Sequence, residues 1–148
     1  MGLIDEIRAG TYDPGPPEGP ARWPTKNGVS LVRTAERIAA EGEIMPPVRD
    51  FLDQVGRIEE DVLERAIAEE PPPTGHAEAD ALLAGIAEHL AATRGLRCPP
   101  WVLAPERFLD RMWFVSSVPG FRAIAIAQAP IALKRRGILW PARSMVRV

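Results

Sequence analysis

Two histidines, one cysteine and a C-terminal run of cations are the residues whose chemistry could go beyond packing. His89 follows Glu88, and an imidazole beside a carboxylate such as Asp80 or Asp110 is what a general base requires. No second histidine stands four residues from it, so the helical pair that holds zinc in metalloproteases is absent. A surface or helix-capping role accounts for His76 and His89 with fewer assumptions. Cys98 lies between Arg97 and Pro99, and a cationic neighbour can lower a thiol pKa. No expected helix start or spaced histidine accompanies it, so a small buried hydrophobe is the expected role. A single cysteine supplies neither an internal disulfide nor a zinc cluster. The glycines are scattered singly, without a phosphate-cradling loop or dinucleotide fingerprint, and no Asp-x-Asp pattern suggests magnesium. The expectation is a protein that is not an enzyme and needs no cofactor or metal.

The cations carry more information. Residues 1–93 hold 8 Lys and Arg against 18 Asp and Glu, a balance of −10, while residues 94–148 hold 10 against 2, a balance of +8. The net charge of −2 hides this division. Such asymmetry has three readings: the basic half contacts nucleic acid, it docks onto an acidic partner, or it folds against the acidic half of its own chain. The contact residues expected under the first two readings are Arg122, Lys134, Arg135, Arg136, Trp140, Arg143 and Arg147. Arginine forks onto carboxylate or phosphate, and Trp140 could stack on a single-stranded base. Under the third reading, Lys134, Arg135 and Arg136 simply favour the negative end of a short helix.

The elements that must position these groups read as helices. The 148 residues, 46% hydrophobic and 26% charged, bound a single globular domain. Residues 1–28 read as an arm: a short helix over 2–9, then a stretch with Pro14, Pro16, Pro17, Pro20 and Pro24, where fixed φ angles and missing donors disfavour packed structure. Tyr12 and Trp23 could pin this arm to the body. Residues 29–148 form the domain. Ser30 caps a helix over 30–41, with Leu31, Val32, Ala35, Ile38 and Ala39 on one stripe. Pro46 and Pro47 open a second helical region over 48–70 that ends or bends at Gly56. Arg49, flanked by Asp50 and Asp53, makes a poor DNA-reading surface there. Thr74 caps the clearest helix, 76–94, which Gly95 ends.

The stretch CPPWVLAPERFLDRMWF, 98–114, concentrates the unusual residues. Six of the nine aromatics lie in it or just after it: Trp101, Phe108, Trp113, Phe114, Phe121 and Trp140. Pro105 opens an expected helix over 105–115, with Phe108, Leu109, Met112 and Trp113 inward. FRAIAIAQA, 121–129, fits a short buried helix or a strand, and Pro130 opens a last helix that stops at Gly137. The fold class is therefore all-α: a single-domain helical bundle of about six or seven helices behind a Pro-rich N-terminal arm. No apolar run reaches the roughly 18–20 residues of a membrane span, and the first ten residues do not read as a secretory leader, which leaves the cytoplasm as the expected location.

Four segments also carry a resemblance: PTGHAEADALLAGIAEHLAA (73–92), CPPWV (98–102), RFLDRMWFV (107–115) and APIALKRRGI (129–138). With them, the region from Val48 to Val148 resembles uncharacterised actinobacterial proteins associated with toxin–antitoxin or helix-turn-helix regulator loci. The resemblance implies a non-enzymatic, antitoxin-like protein whose partner is a toxin-like protein or a neighbouring gene product. Together with the charge pattern, it predicts partner binding through the basic C-terminal surface, the arm, or both. The alternative is a nucleic-acid-binding transcriptional regulator using the same Arg- and Lys-rich region.

Overall fold

The computed structural model describes residues 28–145. The short N-terminal helix, the Pro-rich arm with Tyr12 and Trp23, and Arg147 lie outside the described residues. Within them the chain forms seven α-helices: α1 (Leu31–Glu41), α2 (Met45–Val55), α3 (Glu60–Ala68), α4 (Ala77–Arg94), α5 (Arg122–Gln128), α6 (Ile131–Lys134) and α7 (Ala142–Met145). Two two-residue strands, β1 (Trp113–Phe114) and β2 (Ile138–Leu139), pair in parallel with Trp113 opposite Ile138. The fold class is the all-α bundle expected. No helix among the described residues is long and apolar enough to cross a membrane.

Local chemistry sets the helix ends. Ser30 is extended, and its hydroxyl accepts from the Arg33 N–H at 3.0 Å. Gly42 closes α1 at φ 75°, a left-handed conformation open to glycine at no steric cost. The expected 48–70 region is two helices, α2 and α3, separated after Gly56. Ahead of α4 the cap position belongs to His76, not Thr74. Thr74 ties the approach instead: its N–H and its hydroxyl both donate to Asp80 Oδ1, at 2.9 and 2.8 Å.

α4 is the centre of the domain. Leu82, Leu83, Ile86 and Leu90 are buried as the stripe predicts, but so are Ala79, Ala81, Ala84, Gly85, Ala87 and Ala91. A helix buried this far around is a central rod, not a surface element. It packs against α1, α3, α6 and the short 3-10 turns at Pro100–Leu103 and Pro105–Arg107. Val48, Phe51, Leu52, Leu63 and Ile67 complete the core from α2 and α3.

The expected helix over 105–115 does not form. After the 3-10 turn at Pro105–Arg107 the backbone is extended at Phe108, and Met112 points to solvent. The reason is tertiary. The N–H groups of Leu109, Trp113 and Val115 donate to the carbonyls of Arg136, Gly137 and Leu139 at 3.0, 2.7 and 3.3 Å. A neighbouring segment thus supplies the acceptors that helical turns would otherwise provide. Gly137, at φ 82°, permits this approach, since a Cβ there would lie 3.1 Å from the Arg111 carbonyl oxygen. The FRAIAIAQA segment resolves as helix α5.

Candidate functional site

The three consecutive cations have three different fates. α6 ends at Lys134, whose side chain is exposed. Arg135 is partly exposed; its Nε donates to Glu88 Oε2 at 3.1 Å and its guanidinium lies 5.6 Å from the Phe108 ring centre. Arg136 turns inward and is 0% exposed. Its guanidinium donates to the Glu88 carboxylate, to the Ala132 carbonyl at 2.7 Å and to the Val102 carbonyl at 2.6 Å, and it lies 4.6 Å from the Phe108 ring centre. Burial pushes its pKa down and Glu88 opposes that shift. The expectation of Arg136 as a surface contact is therefore corrected: its guanidinium is enclosed, and both terminal nitrogens bond inside the protein. Gly85 makes room for this arrangement, because a Cβ on α4 there would come within 2.4 Å of Leu133 Cδ2.

Arg107 behaves similarly. It is buried and donates to the carbonyls of Asp80 and Pro71 at 3.1 and 2.8 Å, pairs with Glu70 at 3.4 Å, and lies 4.9 Å from the Trp101 ring centre. Arg107, Arg135 and Arg136 thus turn toward carboxylates of the acidic half. The fold consumes part of the +8 balance internally.

Of the remaining candidate cations, Arg122 and Arg143 are described, and both stay outward. Arg122 is exposed 5.3 Å from the Phe114 ring centre. Arg143 is exposed on α7 and lines an open cleft of about 380 Å³, within the size range of ligand-binding clefts. Trp140 is buried against the core, with part of its surface in the same cleft, and is not presented for base stacking. Phe121, Ile124 and Pro141 supply further apolar lining, Ser116 and Ser144 contribute hydroxyls, and Arg49 of α2 adds a second guanidinium.

The segment from Met112 to Ile131, which supplies Ser116, Phe121 and Ile124 to the cleft, exposes several large apolar side chains. Ile131 is 76% exposed, Met112 64% and Phe121 50%, and Val118 and Ile126 are exposed as well. On α5, RAIAIAQ, only Ala125 is buried. Sequence reasoning missed these residues as surface features. It placed Met112 inward and allowed α5 to be buried, because apolar periodicity does not reveal which face finds a partner inside the chain. It also discounted Arg49 for its acidic neighbours. In the fold, Asp50 turns away to Arg37 at 2.8 Å.

Among the described residues, neither the candidate thiol Cys98 nor the candidate base His89 has a side-chain hydrogen bond to a carboxylate. Cys98 is exposed, not the buried hydrophobe expected. The protein around it still withdraws enough solvent to push the thiol pKa up; Glu88 adds to this, and Arg136 and Arg135 offset part of it. His89 is half-buried on α4, and desolvation lowers its pKa. No group of three or more His, Cys, Asp or Glu among the described residues could hold a metal ion.

The His89 shift has a measurable consequence. With its folded pKa depressed, the unfolded chain binds the proton first as pH falls below about 6.5. Stability contributed by neutral His89 is therefore present above that pH and lost on acidification toward the folded pKa. Urea midpoints at pH 7.5 and 5.5 should fall together with pH in the wild type and fall less in His89→Gln. An equal drop in both proteins contradicts the assignment.

No family model, curated protein or solved structure matches the chain.

Proposed function

We propose that this chain is a non-enzymatic interaction protein that docks a partner protein through the basic, apolar face of its C-terminal third. One observation carries the reading: five large hydrophobic side chains from Met112 to Ile131 are exposed, and Arg122 within that segment and Lys134 just after it also face solvent with no ion pair among the described residues. Apolar surface of this kind, rimmed by charge, is characteristic of protein-binding sites. The resemblance to proteins of toxin–antitoxin and regulator loci makes the product of an adjoining gene the first partner to test, in an antitoxin-like relation. The nucleic-acid reading is the weaker one, because Arg136 is enclosed and Trp140 is buried.

Co-expression with the adjoining gene product, followed by affinity purification and size-exclusion chromatography, tests this reading. The wild-type chain is expected to co-elute with its partner. The double variant Phe121→Asp, Ile131→Asp is expected to keep its melting temperature, both sites being open to solvent, and to bind about thirtyfold more weakly, as loss of a central apolar anchor does. Unchanged recovery by the double variant, or no complex with the wild type, rejects the reading.

A further inference from the structure

We infer that the cleft between α2 and the C-terminal segment is the specificity pocket of this interface, and that it takes an acidic peptide segment carrying an apolar side chain. The inference rests on the interaction reading above and adds the chemistry of the occupant.

Charge is the first ground. Arg49 and Arg143 reach the cleft from elements far apart in sequence, α2 and α7, and no carboxylate among the described residues lines it. Neither guanidinium has an ion pair among the described residues, whereas Arg37, Arg65, Arg107, Arg135 and Arg136 all do. Two cations without a counter-charge among the described residues, beside the hydroxyls of Ser116 and Ser144, suit a carboxylate, which guanidinium groups bind with directed, charge-assisted hydrogen bonds. Shape is the second ground. The floor of Phe121, Ile124 and Trp140 is apolar, so the same ligand must bring a hydrophobic group beside its negative charge. Continuity is the third. Half of Phe121 remains exposed, and Val118 and Ile126 extend the apolar surface along the same segment. A small carboxylate filling the cleft alone would leave those side chains uncovered. A peptide crossing the cleft can cover them while placing its acidic groups at Arg49 and Arg143.

Fluorescence-anisotropy titration of the full chain tests this with two labelled hexapeptides, Glu-Glu-Leu-Phe-Glu-Glu and its neutral counterpart Gln-Gln-Leu-Phe-Gln-Gln. The acidic peptide is expected to bind at least about tenfold more tightly, and Arg49→Glu and Arg143→Glu each to weaken it by about tenfold or more. Arg57→Glu, an exposed charge reversal outside the cleft, controls for net charge and should weaken binding by much less. Equal affinity for the two peptides, undetectable binding of the acidic peptide at millimolar concentration, or an equal loss in Arg57→Glu overturns the inference. Phenylpropionate binding as tightly as the acidic peptide would also overturn it, in favour of a small-ligand site. The two readings fail separately. If the adjoining gene product still co-elutes with the Arg49→Glu, Arg143→Glu double variant and is lost only in the Phe121→Asp, Ile131→Asp variant, the interaction face stands and the cleft proposal does not.

Discussion

Trp101→Ala is expected to destabilise the protein by roughly 3–5 kcal/mol, the range for deleting a large aromatic from a packed core. Trp101 is 8% exposed and lies in the 3-10 turn that packs on α4. Its indole N–H donates to the Ile67 carbonyl at 3.1 Å, so truncation also strips the end of α3 of a buried hydrogen bond. The Arg107 guanidinium lies 4.9 Å from the ring centre and would lose that surface while remaining buried. Cavity, hydrogen bond and cation contact fall together, and the effect should appear as a large drop in denaturation midpoint. A Trp101→Ala protein that melts normally would contradict the packing described here. Trp101→Phe, which keeps most of the apolar volume but not the N–H, should lose substantially less.

Arg136→Leu is expected to cost about 3 kcal/mol, near the lower end for removing one partner of a buried ion pair. The lower end applies because Glu88 is partly solvated and keeps Arg135 as a partner. The cost comes mainly from the carbonyls of Val102 and Ala132, which lose the only side-chain donor that reaches them among the described residues. Arg136→Lys should recover only part of it, since an ammonium keeps the charge but cannot reach three separate acceptors as a planar fork does. A double-mutant cycle with Glu88→Gln apportions the pair. A loss in Arg136→Leu below about 1 kcal/mol would mean that Arg136 behaves as an ordinary surface arginine, of the kind usually worth little.

These two residues also mark how far the sequence could be read. Trp101 was legible as core, because an aromatic set between prolines has few other uses. The stripe of Leu82, Leu83, Ile86 and Leu90 located α4 to within one residue. The alanines beside it did not announce that the helix is buried almost all round, because alanine suits exposed and buried positions alike. The 105–115 segment misled for a different reason: Pro105 and the aromatic spacing are compatible with helix, and only the carbonyls of 136–139, distant in sequence, redirect its N–H groups. Arg136 was indistinguishable from Lys134 and Arg135 by type. What separates them is the last turn after α6, which points one guanidinium at Glu88 and Val102 while its neighbour Lys134 stays in solvent. For the same reason the cleft was only half visible. Trp140 and Arg143 could be singled out by type, whereas Arg49 joins them only because the fold brings α2 to the same cleft.

A partner is expected to land on the C-terminal face. Hydrogen exchange of the full chain, alone and saturated with the adjoining gene product, reports this directly. Protection is expected to rise across residues 111–131 and 140–145 and to change little on α1 and α3. Protection confined to α1 and α3, with the C-terminal face exchanging as in the free protein, would contradict it.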